Sequence, residues 1–216
     1  MLEDFLKYQA KTTPNPLGLE IDRANGSYIF DTQGKSYLDF IAGVSALPLG
    51  HSHPKVVNAL CSQIEKYMHV MVYGEFAQAP AVKLCKKLVG LLPKKHEVVY
   101  LTNSGTEAIE GALKLAKRVT GRSGLIAAQN SYHGSTHGAL SLMGYENQKK
   151  RYRPLLPGVR FIQFNNREDL DQIDQSTAAV LLESIQGGAG FILPKDNYLK
   201  KVKKKCEKVG AIMTVE

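Results

Sequence analysis

The chain has 216 residues with 44% apolar side chains, enough to bury a sizeable core in one or two domains. Its net charge of +8 comes from lysines that sit on helical patterns, Lys83, Lys86 and Lys87, then Lys200, Lys201, Lys203, Lys204 and Lys205, with no interleaved aromatic platform, so it argues against nucleic-acid recognition. No apolar run approaches the ~20 residues that span a bilayer and Met1 to Phe5 lack the pattern of a secretory signal; the three well-separated cysteines Cys61, Cys85 and Cys206 read as reduced packing thiols, so a soluble, cytoplasmic protein is expected.

In chain order, residues 1–20 read as a helix followed by the Pro-rich break Thr13-Pro14-Asn15-Pro16. Ser27 to Asp31 and Ser36 to Phe40 form a hairpin around Thr32-Gln33-Gly34-Lys35. Pro54 opens a helix that ends near Lys66, and a second helix runs from about Ala77 to Leu91. Apolar runs then alternate with helical patterns: strand 98–102, helix 104–119, strands 125–128, 159–164 and 178–183, helix 196–208, strand 211–215. Such alternation predicts a mostly parallel sheet with covering helices. In the helix after residue 104, Ala108, Ala112, Leu115, Ala116 and Val119 are expected to face that sheet.

Chemistry concentrates where strand 98–102 meets its helix, at Asn103-Ser104-Gly105-Thr106-Glu107-Ala108. Ser104 can cap the helix while Glu107, three residues on, reaches back to the cap, leaving backbone N–H groups free to point outward. Free donors at a positive helix end suit an anion such as phosphate. The same box also stabilises a helix by about 1 kcal/mol without any ligand. Gly105 leaves the backbone open to approach. Tyr132, before His133 and Gly134, reads either as a half-buried aromatic at a strand end or as a ring placed to stack on a ligand. His133 and His137 are four apart, but Gly134 and Gly138 argue against a helical metal pair. Glu183 closes an apolar strand at the carboxyl edge of the sheet, where α/β proteins gather their ligands.

These segments together resemble the class III aminotransferases, the pyridoxal-phosphate-dependent group of fold type I that includes the acetylornithine, ornithine and 4-aminobutyrate enzymes. The resemblance runs from about Asn25 to Glu216 through Tyr37-Leu38-Asp39-Phe40 with Gly43 and Leu49-Gly50-His51-Ser52-His53-Pro54, then Asn103 to Ala108, then Tyr132-His133-Gly134, then Glu183 with Gln186-Gly187. It implies an incomplete fold type I large domain, with residues 1–50 as an amino-terminal segment belonging to the small domain and 51–216 as part of the cofactor-binding domain. The implied sheet order is 3-2-4-5-6-7-1, of which this chain supplies strands 1 to 5.

By the resemblance the cofactor is pyridoxal 5'-phosphate. Ser104, Gly105 and Thr106 hold its phosphate, Tyr132 stacks on its ring beside His133, Glu183 lies near its phenolic side, and Glu216 falls at, or one place after, the aspartate that pairs with the ring nitrogen. Val70 to Glu75 corresponds to a segment at the substrate entrance. Relatives usually carry Pro where Ser184 stands, and several carry a second glutamate where Gly188 stands. The implied activity is transfer of an amino group from an (ω-)amino acid to an oxo acid by a homodimer. Family members are about twice this length, and their cofactor-linking lysine lies beyond residue 216, so the chain alone is expected to be inactive. A non-catalytic phosphate-binding or interaction protein derived from the family is the alternative.

Overall fold

Two uninterrupted apolar runs, Leu125–Ala128 and Ala178–Leu182, are buried on both sides and form the middle of a parallel sheet, as such runs do when helices cover both faces. The computed structural model describes residues 1–71 and 74–216. They divide into two compact units, Met1–Gln78 and Ala79–Glu216. Reciprocal backbone hydrogen bonds between Gly26 and His51, at 3.0 and 2.8 Å, join residues on either side of position 50.

The first unit holds helix α1 (Leu2–Tyr8), an antiparallel sheet β1 (Ile21–Asn25), β2 (Tyr28–Asp31) and β3 (Ser36–Leu38) in the order β1-β2-β3, a single turn α2 (Ala42–Ser45), and α3 (Pro54–Ile64). The hairpin between β2 and β3 is shaped by Asp31. One carboxylate oxygen accepts the Gln33 and Lys35 N–H groups at 3.0 and 2.9 Å and the other accepts the Tyr37 hydroxyl at 2.9 Å. Asp39 similarly accepts the N–H groups of Ile41 and Ala42 and pairs with His51 Nε2 at 2.7 Å. The segment Val70 to Glu75, expected at a substrate entrance, contains Val72 and Tyr73, which lie outside the described residues.

The second unit runs α4 (Ala79–Leu91), α5 (Gly105–Thr120), β4 (Gly124–Ala128), α6 (His137–Ser141), α7 (Glu146–Lys149), β5 (Val159–Ile162), β6 (Thr177–Leu182), α8 (Tyr198–Val209) and β7 (Ile212–Val215). Its strands are all parallel, in the order β5-β4-β6-β7. That is the 3-2-4-5 part of the implied fold type I order. Alternate residues serve opposite faces. Leu125 and Ala127 of β4 pack with Ile109, Leu113 and Ala116 of α5, while Ile126 and Ala128 pack with Tyr198, Val202 and Cys206 of α8. Burial pushes the Cys206 thiol up to about 11, consistent with a packing role.

Two expectations are corrected. Val98–Thr102 is not a strand, and Val98 and Tyr100 are 87% and 83% exposed. An apolar run becomes a strand only when a neighbour takes its backbone hydrogen bonds, and among the described residues no strand pairs with it. The second correction concerns α5. Its buried stripe is Ile109, Leu113 and Ala116, whereas Leu115 and Val119 are 62% and 65% exposed. The helix carries apolar residues on two stripes, and packing places the one with Ile109, Leu113 and Ala116 on the sheet. Tyr100 lies beside the helix at Gly111, where an added Cβ would come 3.9 Å from its ring.

Exposed apolar residues along α5 and the 98–101 segment predict concentration-dependent self-association. Sedimentation velocity checks this: replacing Leu115 and Val119 by Lys should shift the chain toward monomer, and a wild-type chain that stays monomeric at every concentration would refute it. A second outcome concerns the turn entering β6. There Arg160 of β5 bonds Asp174 through both guanidinium nitrogens, at 2.9 and 3.1 Å, and Ser176 N–H adds a bond of 2.9 Å. The Arg160 guanidinium and then Ser176 hold the Asp174 carboxyl well below its usual range. A depressed carboxylate adds stability that is present above its unfolded pKa and lost as pH falls through the folded value. Asp174→Asn should therefore lower the thermal midpoint at pH 7, and the gap to wild type should close progressively below about pH 4; a gap independent of pH would contradict this.

Candidate cofactor site

The amino end of α5 arrives at the carboxyl edge of the sheet because its buried stripe is docked on β4 and β6. Ser104 is the N-cap, in extended conformation, and its Oγ accepts the Glu107 N–H at 3.2 Å. Glu107 reaches one residue further back than a simple capping box, accepting the Asn103 N–H at 2.8 Å. The Thr102 hydroxyl donates to Ser104 O at 3.0 Å. Among the described residues, no acceptor takes the N–H groups of Ser104, Gly105 or Thr106. Three donors therefore remain at a helix end where the dipole favours negative charge.

Next to this end lies a cleft of about 390 Å³ lined by Gly105, Thr106, Tyr132, His133, Gly134, Ser135 and Glu216. Its second wall is the loop that follows β4. Gly134 takes a positive φ of 119°, and a Cβ there would come 2.3 Å from Thr106 Oγ1, so only glycine lets the loop pass this close. Tyr132 keeps 48% of its surface exposed, leaving a ring face available to a ligand. His133 is buried; its Nδ1 lies 2.7 Å from Glu216 Oε2, and among the described residues its Nε2 has no partner. With the carboxylate ionised, Nδ1 carries the proton and holds Glu216 in place.

Five of the seven sequence-predicted site residues, Gly105, Thr106, Tyr132, His133 and Glu216, thus line one cleft, and Ser104 caps the helix at its edge. Glu183 does not line it. Its two oxygens accept the backbone N–H groups of Tyr132 at 3.3 Å and Gly187 at 3.2 Å, so it braces the loop that presents the ring. His133 and His137 point to different partners, His137 Nε2 bonding Pro154 O at 2.9 Å.

Sequence reading missed Glu110 and Thr136. The Thr136 hydroxyl donates to Glu110 Oε1 at 2.6 Å and lies 2.6 Å from Thr106 Oγ1, while its N–H bonds Thr106 Oγ1 at 3.3 Å. Since the single Thr136 proton goes to the carboxylate, the Thr106 hydroxyl must donate to Thr136. Ser104 Oγ, by contrast, donates to no acceptor among the described residues. Thr106 and Glu110 stand four apart on one helix face, which was the available signal.

Residues 8–216 match the family described as aminotransferase class-III. The [LysW]-aminoadipate semialdehyde/glutamate semialdehyde transaminase of Sulfurisphaera tokodaii is 38% identical over 92% of this chain and 51% of its own length. The acetylornithine aminotransferase of Archaeoglobus fulgidus is 36% identical over 91% of this chain and 52% of its own length. The chain therefore spans about half the length of these relatives. The crystal structure of taurine:2-oxoglutarate aminotransferase from Bifidobacterium kashiwanohense, in complex with PLP and glutamate, superposes on 98% of this chain and 53% of its own with a TM-score of 0.87 and 29% identity. Sheet order, helix-end donor set and these matches agree, and the chain belongs to the class III aminotransferase family.

Proposed function

We propose that the cleft binds pyridoxal 5'-phosphate and that the chain forms the cofactor-binding part of a transaminase moving an amino group from an (ω-)amino acid to an oxo acid. Class III aminotransferases depend on this cofactor. The observation that carries the reading is the pairing of donors with an acceptor on one cleft: backbone N–H groups at the α5 end, without an acceptor among the described residues, and the His133-held carboxylate of Glu216. A ligand with a phosphate and a protonatable ring nitrogen meets both.

In this reading the N–H groups of Gly105 and Thr106 and the Ser104 hydroxyl bind the phosphate, assisted by the helix dipole. Tyr132 lies against the ring and excludes water from one face. Glu216 would accept a hydrogen bond from the protonated ring nitrogen, and His133 would fix the carboxylate that does so. Bound in this way, the cofactor supplies an electron sink for the amino-acid substrate. No lysine is among the residues lining the cleft. Proton transfer between substrate and cofactor needs such a base, and in this reading residues 1–216 bind the cofactor without turning over an amino donor. The exposed apolar stripe of α5 and the three free thiols support a homodimer working in the cytoplasm.

A spectroscopic titration with pyridoxal phosphate, then borohydride reduction and peptide mapping, tests the reading. Saturable binding with no single trapped lysine is expected; absence of binding, or turnover of an amino donor by the purified chain, would overturn it. Ser104→Ala removes the free hydroxyl donor and should weaken binding about tenfold, since hydrogen bonds to charged groups are worth about 1.5–3 kcal/mol. Glu216→Gln should likewise raise the dissociation constant about tenfold by discarding the carboxylate opposite the ring nitrogen; affinity equal to wild type would remove Glu216 from the site.

A further inference from the structure

Glu110 fastens the two walls of the cleft to each other. Its Oε1 accepts three hydrogen bonds from one short stretch: the Thr136 hydroxyl at 2.6 Å, Gly138 N–H at 2.8 Å and Ala139 N–H at 3.1 Å. Its other oxygen lies flat against Gly138, where a Cβ would come within 2.2 Å of Oε2. Through Thr136 the chain of bonds continues to Thr106, whose hydroxyl and N–H stand at the end of α5. One side chain of α5 thereby sets the distance between the phosphate cradle and the loop that carries Tyr132, His133 and Gly134.

We propose that Glu110 is a positioning residue that clamps the ring-bearing loop to the phosphate cradle and, by taking the Thr136 proton, turns the Thr106 hydroxyl away from the cleft, leaving Ser104 as the hydroxyl that donates to the anion. The proposal rests on the cofactor reading given above. An ionised carboxylate only accepts, so the order of protons along Thr106, Thr136 and Glu110 has a single direction. Glutamine at this place keeps the accepting oxygen; alanine removes it.

Hydrogen exchange of the unliganded 216-residue chain reads the clamp directly. In Glu110→Ala the Gly138 and Ala139 amides should exchange at least about tenfold faster than in wild type, and Glu110→Gln should restore slow exchange. With pyridoxal phosphate added, Glu110→Ala should bind about tenfold more weakly and lose most of the induced circular dichroism of the bound ring, with both returning in Glu110→Gln. Unchanged exchange and unchanged dichroism in Glu110→Ala would overturn the proposal. If the wild-type chain binds no pyridoxal phosphate, the cofactor reading fails, and amide exchange alone decides the clamp. Should Glu110→Ala not fold, Thr136→Val removes the middle hydroxyl alone. It should then halve the induced dichroism at least, and a wild-type signal from it would refute the proposed proton order.

Discussion

Docking of α5 on the sheet through Ile109, Leu113 and Ala116 is the constraint from which the site follows. These residues pack on Leu125 and Ala127 of β4 and Ala179 and Leu181 of β6, so the helix can neither slide nor rotate without opening a cavity in the core. Its first turn is thereby held at the carboxyl edge of the sheet, beside the loops that leave β4 and β6 and the residue that follows β7. A ligand site at this edge is general to open α/β sheets, because every strand delivers its loop there. Here the loops bring Tyr132, His133 and Glu216 to the helix end.

Polar side chains, rather than further apolar contact, fix the loop. Glu183 accepts the Tyr132 N–H from the sheet side, and Glu110 accepts two N–H groups and a hydroxyl from the helix side. Each carboxylate satisfies backbone donors that irregular structure would otherwise leave unpaired beside the core. At the cleft, among the described residues, three N–H groups at the helix end and the buried His133 Nε2 have no partner. A fold that bonds its polar groups this thoroughly around one opening leaves its free donors where a ligand can use them.

Much of this was legible in the sequence because its signals are local. Alternation of apolar runs with helical patterns gave β4 to β7 and helices α4, α5 and α8 to within a few residues, though not the short α6 and α7, and Ser104 with Glu107 marked the start of α5. Parallel order was legible only through the family resemblance. The failures share one cause, dependence on partners remote in sequence. Val98–Thr102 has the composition of a strand, yet strand formation needs a neighbour. Leu115 and Val119 match a core-facing pattern as well as Ile109 and Leu113 do, and only packing decides between the stripes. Glu183 and Glu216 were both expected beside the cofactor; one is consumed by backbone N–H groups while the other enters the cleft.

By the family resemblance Glu216 stands at, or one place after, a shorter aspartate. An extra methylene moves a carboxylate by more than 1 Å unless something draws it aside. In this chain His133 Nδ1, at 2.7 Å, is that restraint. The glutamate is thus held by a buried histidine, so its carboxylate stays in the cleft beside the helix end that the sheet holds in place.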